Sequence, residues 1–392
     1  MPLPSGPGLL LALIVGQIGL HAAMAGLRLA APLQTLREGY SAWAVGLLLA
    51  LFAAAPVLLA LHAGRMADRH GYHRPMRWSV VMAMAGMLLA VASTQFSGNA
   101  HFALLCLAAM LGGGAANMGV IAIQRTAGLI ARDSAHRVQL FSWLGVAPSL
   151  SNVVGPVAVG LMIDAAGFAA AYVMLVFLPL LSWLAARRVP PIAPSPAAAH
   201  DDDRTAWELL RAPGIRRLFT INFLLATCWD VHAFAVPIHG QERGFTASMI
   251  GFILASFTLS VTIVRLLLPM LAHRLVEAQV IRWAMVGTAA VFMLYPMAST
   301  PLLMLGCSLL LGTTLGVAQP MIMSTLHHLT PDHRHGEALA LRSMAMNVAS
   351  TVMPLIFGAS SAWVGAAALF WLVGAGVGSG AWLTLRLRRL RE

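Results

Sequence analysis

Apolar residues along this chain do not alternate with polar ones. They run together for about 20 residues at a time, the length an α-helix needs to cross a roughly 30 Å hydrocarbon core. Polar, glycine and proline interruptions divide the runs into twelve predicted spans. Six lie near residues 8–30, 44–63, 78–95, 101–124, 138–163 and 168–186, and six near 215–238, 248–270, 279–298, 301–325, 338–360 and 363–385. The pattern predicts an all-α polytopic membrane protein made of two six-helix bundles, 1–186 and 215–392.

Between the bundles, residues 187–214 carry Arg187, Arg188, Pro190, Pro191, Pro194 and Pro196, then Asp201, Asp202 and Asp203. Proline disfavours helix and the acidic run favours water, so this segment is expected to be a cytoplasmic linker. Trp207, Leu209 and Leu210 suggest a short amphipathic helix within it. The first apolar run has no basic residue before it and continues past Leu20, which fits a retained first span better than a cleaved signal peptide.

Composition agrees with the pattern. Hydrophobic residues make up 59% of the 392 and charged residues 10%, against roughly 25% charged in a soluble domain. The net charge of +11 comes from arginine alone, since the chain has no lysine. If both termini are cytoplasmic, 21 arginines fall on inside segments, Arg334 and Arg342 among them. Arg28, Arg37 and Arg243 fall outside, and Arg265 is left near the inner end of the eighth span. Such asymmetry is the positive-inside pattern, placing both ends in the cytoplasm of a bacterial inner membrane and removing nucleic acid as a partner. Cys106, Cys228 and Cys307 lie in apolar runs without a C-x-x-C pair and read as small buried hydrophobes.

The halves repeat one another. Arg37-Glu38-Gly39-Tyr40-Ser41-Ala42 with Gly46 matches Glu242-Arg243-Gly244-Phe245-Thr246-Ala247 with Gly251, 205 residues later. Pro156 and Gly160 match Pro354 and Gly358, 198 residues later. Parallel six-helix repeats are a transporter architecture, with the solute site near the midplane.

The loop between the second and third spans reads Gly64-Arg65-Met66-Ala67-Asp68-Arg69-His70-Gly71-Tyr72-His73-Arg74. Its glycines suit a tight turn, and its acid suits a helix end or an arginine. The segment resembles the G-x-L-A-D-R-x-G-R-K signature of the major facilitator superfamily. The resemblance implies a gating latch of Gly64, Asp68, Arg69, Gly71 and Arg74, although Tyr72 and His73 replace two basic residues of the pattern. The fifth span carries Gly145, Pro148, Asn152, Gly155, Pro156 and Gly160, and Gly145, Gly155, Pro156 and Gly160 look like the helix 5 motif of drug and proton antiporters in that superfamily. The fourth span keeps the glycine face of a further exporter motif but has Ala108 in place of its arginine.

Ionisable groups inside the bilayer cost about 2.5 to 3.5 kcal/mol on insertion scales and therefore mark function. Asp230 is the clearest acid of this kind, on the same helix face as Asn222, and is the candidate proton-coupling or substrate-binding group. His232, about 200° around the helix, is aimed elsewhere if the helix is unbroken. Gln17, His21, Met24 and Arg28 form one stripe of the first span, and Gln319 and Asn347 add amides to the candidate coupling and substrate set.

The histidine-rich stretch His327 to His335 is expected to be a titrating loop and not a metal site. No phosphate-binding P-loop, clustered nucleophile or paired carboxylates occur, so neither a cofactor nor an enzyme is expected. The expectation is a monomeric carrier working by alternating access, exporting a small organic molecule against protons. An importer of a small metabolite and a non-transporting membrane sensor share the same fold argument.

Overall fold

The computed structural model describes residues 7–130, 134–191, 210, 212–271, 276–330 and 335–388. Within these the chain is helical: α1 Pro7–Arg37, α2 Ala42–His70, α3 His73–Ser93, α4 Gly98–Ile130, α5 Ser134–Ala186, α6 Pro213–Glu242, α7 Ala247–Leu271, α8 Glu277–Leu294, α9 Pro301–Leu329, α10 His335–Gly380 and α11 Leu383–Arg388. Most of linker 187–214, including Trp207 and Leu209, lies outside the described residues, as does 331–334 of the histidine-rich stretch.

Among the described residues, ten helical stretches are long and apolar enough to cross a membrane. The number reconciles with twelve through two long helices. At 53 residues, α5 would measure about 80 Å, more than twice a bilayer core. It breaks at Gly167 (φ 82°, ψ 177°), and the 46-residue α10 breaks at Gly365 (φ 74°, ψ 164°). Each therefore supplies two of the predicted spans. The two breaks lie 198 residues apart, extending the repeat that Pro156 and Pro354 began.

Several helices outrun the apolar runs that predicted them. α1 reaches Arg37 and α2 reaches His70, because a helix satisfies its own backbone hydrogen bonds whether or not hydrocarbon surrounds it. The expected loop 64–74 is thus mostly helix. Gly64 lies inside α2 with nothing within 4 Å of the position its Cβ would take, so it serves neither a turn nor a close approach, whereas Gly71 (φ 68°) makes the turn.

The contacts divide the chain into two compact units. The first holds Met1–Tyr40, Leu47–Ala199 and Thr246–Gly251, and the second holds Ser41–Gly46, His200–Phe245 and Phe252–Glu392. Two short helix starts, Ser41–Gly46 and Thr246–Gly251, are counted with the other unit.

In the first unit α1 packs on α5 through small residues, as helices do where lipid removes the hydrophobic drive between them. A Cβ on Gly26 would stand 2.7 Å from Val159 and Leu175, and one on Gly155 would stand 2.9 Å from the Ala22 carbonyl. Ser182 donates to Gly16 O (2.7 Å) and Tyr172 to Gln34 Oε1 (2.8 Å) across the same seam. The start of α7 belongs to this unit. Gly251 faces Pro156 O, Gly160 faces Ala247 O, and a Cβ on either would come within 2.6 Å.

The second unit contains the counterpart contact, with Gly46 at the start of α2 against Pro354 and Gly358 of α10. In the same unit Ser260 of α7 donates to Leu309 O of α9 (2.7 Å), beside Gly312, which packs on Phe257.

Candidate substrate site

In the second unit, two of the predicted amide candidates converge on Arg342, which the sequence placed among the inside arginines at the start of the span near 338–360. Arg342 lies in the second turn of α10, half-buried. Its Nε donates to Asn222 Oδ1 of α6 at 3.3 Å, and its Nη2 donates to Gln319 Oε1 of α9. Asn222 is 1% exposed. Arg265 of α7 is close enough to repel Arg342 and lies 6.0 Å over the ring of Trp229 on α6. Trp229 in turn meets Phe257 edge-on at 4.7 Å.

Asp230 follows two turns beyond Asn222 on α6. It is 5% exposed and accepts a hydrogen bond from Ser350 of α10 at 3.3 Å. Asn347 is exposed on α10, apart from these contacts. His232 is aimed elsewhere, as the helix geometry required. It is 2% exposed, with Nε2 bonded to Ser308 Oγ (2.9 Å) and its ring stacked on Phe257 at 4.5 Å. Tyr295 completes the knot through a 2.7 Å bond to the same Ser308.

The first unit keeps the predicted stripe on α1. Gln17 is buried, while His21, Met24 and Arg28 are half-buried at successive turns. Gln17 Oε1 and His21 Nδ1 have no hydrogen-bond partner among the described residues, and His21 lies close enough to Arg28 to feel its charge. Of the latch, Arg69 and Arg74 are exposed, Gly71 is buried, and the Asp68 side chain lies outside the described residues. In the helix 5 motif Gly155, Pro156 and Gly160 make close contacts, while Gly145 has open space around it.

Two acids that the pattern did not single out have defined partners at helix ends. Asp164 of α5 accepts the backbone N–H of Ala247 (3.0 Å) and of Ser248 (2.7 Å), capping the first turn of α7 within the first unit. Glu38 accepts from Gln34 (2.9 Å) and lies 3.1 Å from Nε2 of buried His101, an ion-pair contact and not an aligned hydrogen bond. Nδ1 of His101 holds Ser93 O at 2.9 Å. Beside them Tyr40 donates to Gly98 O, its phenol pushed up by partial burial and then by the Glu38 charge. A shallow pocket of about 500 Å³ opens here between Tyr40 and Phe96. Among the described residues no three His, Cys, Asp or Glu side chains gather as metal ligands.

Comparison with known proteins places this geometry. The model of the Major Facilitator Superfamily matches residues 13–275 and 218–392. No curated protein sequence matches the chain. Among solved structures, the nucleoside transporter NupG superposes with a TM-score of 0.76 at 13% identity, covering 97% of this chain and 98% of that one. The POT family transporter PepTSo gives 0.72 at 12% identity, with 98% of each chain covered. A bacterial metal transporter gives 0.72 at 14%, with 97% and 98% covered. At such identities the likeness is one of fold.

Proposed function

Since this chain belongs to the major facilitator superfamily and is a transporter rather than an enzyme, we propose that it exports a small organic solute by alternating access, driven by protons. The observation that carries the proton coupling is Asp230, a carboxyl group on α6 that is nearly sealed from solvent and bonded to the neutral hydroxyl of Ser350. Ionising an acid in such surroundings is costly, so its charge state can follow which face of the membrane it meets. Export is favoured by the glycine and proline face of α5, whose Gly155 lets α1 approach to contact distance. The arginine distribution supports a bacterial inner membrane with both termini in the cytoplasm, and the chain is taken as a monomer.

The test is solute flux in reconstituted vesicles under an imposed pH gradient. The parent should move at least one solute in proportion to the gradient, outward relative to the cytoplasmic face. Asp230→Asn should still exchange solute down its own gradient but respond to pH no longer. Full proton dependence in Asp230→Asn would remove the coupling role, and accumulation on the cytoplasmic side would turn the exporter into an importer.

A further inference from the structure

We infer that the second unit holds a binding site for a small organic anion, centred on Arg342. The inference rests on the carrier reading above only in taking the bound anion to be the transported solute.

The argument is an inventory of donors and acceptors. A guanidinium group only donates, so both amides facing Arg342 must present their oxygens to it. That orientation fixes their other ends. The NH₂ groups of Asn222 and Gln319 are left as donors, and Asn222 Nδ2 is buried with no acceptor among the described residues. The indole N–H of Trp229, seven residues along the same helix face, is likewise buried without an acceptor. Arg265 adds a second guanidinium over that indole ring.

Five groups from α6, α7, α9 and α10 therefore offer hydrogens and positive charge to one region, with their acceptor oxygens already used by Arg342. Among the described residues no carboxylate lies within ion-pair distance of either guanidinium. Elsewhere in the unit Asp230 accepts from Ser350, and half-buried Glu277 accepts from Ser324 (3.0 Å) and lies 3.9 Å from His328.

Burying donors without acceptors is costly, and two like charges brought together add to that cost. A ligand rich in acceptor oxygens and bearing negative charge relieves both. An ionised carboxylate or phosphate group fits, since a planar guanidinium bonds either one through two parallel N–H donors. A cationic or donor-rich solute meets repulsion at every one of these groups. The Trp229 and Phe257 rings supply an apolar wall for the organic part of the solute.

The experiment uses the purified full chain in detergent and measures ligand affinity from thermal unfolding at matched ionic strength. The panel pairs mono- and dicarboxylic acids and phosphorylated solutes with their neutral amides or unphosphorylated forms, and adds organic amines and inorganic phosphate. At least one acid should bind, its neutral partner tenfold more weakly or worse. Arg342→Gln should weaken that acid at least tenfold, Arg342→Lys less, and Arg265→Gln should weaken it while the protein stays monodisperse.

Binding of neutral partners as tightly as acids, undiminished acid affinity in Arg342→Gln, or binding by no acid would each overturn the site. Equal binding of bare inorganic phosphate would overturn its organic selectivity. An acid that binds yet never crosses vesicles would sink the carrier reading and leave the site standing. Proton-driven flux confined to amines or neutral solutes would do the reverse.

Discussion

The carboxylate of Asp164 holds the first turn of α7 through Ser248, whose backbone N–H reaches Oδ2 at 2.7 Å while that of Ala247 reaches Oδ1 at 3.0 Å. Two of the orphan N–H groups at a helix start are satisfied by one acid that lies 83 residues earlier in the chain. Asp164→Ala should lower the stability of this conformation by about 1 kcal/mol, toward the low end for a cap because the group is exposed. Asp164→Asn, with one oxygen for two donors, should fall between. Thermal unfolding of the three proteins in one detergent measures this, and equal midpoints would deny the cap any weight.

The glycines of this chain should separate by position. Gly251→Ala puts a Cβ 2.6 Å from Pro156 O, and Gly46→Ala drives one into Pro354 O, so both should destabilise or shift the helix starts. Gly64→Ala, at the head of the latch sequence, meets open space inside α2 and should gain roughly 0.5–1 kcal/mol from the removed flexibility. Unfolding midpoints moving in opposite directions are the expected result.

At Gly167 and Gly365 the cost lies in the backbone alone. Nothing surrounds either Cβ position, but φ of 82° and 74° is strained for any residue with a side chain. With ψ of 177° and 164° these are conformations that essentially only glycine adopts, and alanine at either place should destabilise by roughly 1–3 kcal/mol. The double variant should show the sum within about 0.5 kcal/mol, since the two breaks belong to different units.

Ser308→Ala should separate packing from transport. It removes the group that joins His232 Nε2 to Tyr295 OH, leaving two buried polar atoms unpaired at a cost of roughly 1–3 kcal/mol. A lower unfolding midpoint with retained pH-driven flux is expected. Loss of proton dependence without loss of stability would instead bring His232 into the coupling machinery beside Asp230.

The spans were legible because a bilayer demands long apolar runs, and the repeat was legible because its conserved spacing involves glycines and prolines. Gly46, Gly251, Pro156 and Pro354 betrayed the duplication in sequence and prove to lie where helices pack in close contact. Asn222, Asp230 and Gln319 were recognisable one at a time, as polar groups too deep to be decorative. The meeting of Asn222 and Gln319 at Arg342 was not, since it joins α6, α9 and α10, and in sequence Arg342 counts only as an inside arginine at the start of the span near 338–360. Asp164 was hidden for a different reason. An acid near a corner is ordinary in sequence, and only the fold shows which helix start it faces. Gly64 misled in the opposite direction, since its place in a family pattern implied a turn that α2 passes through as helix.

The breaks at Gly167 and Gly365 also limit how this protein can be handled. A corner one residue wide offers an antibody almost no epitope and a protease almost no cleavable stretch. Epitope tags and imaging fiducials inserted there would have to unwind a membrane helix to be accommodated, so the helical ends around Gly39 and Gly244, where the chain already leaves the helix for several residues, are the better points of attachment.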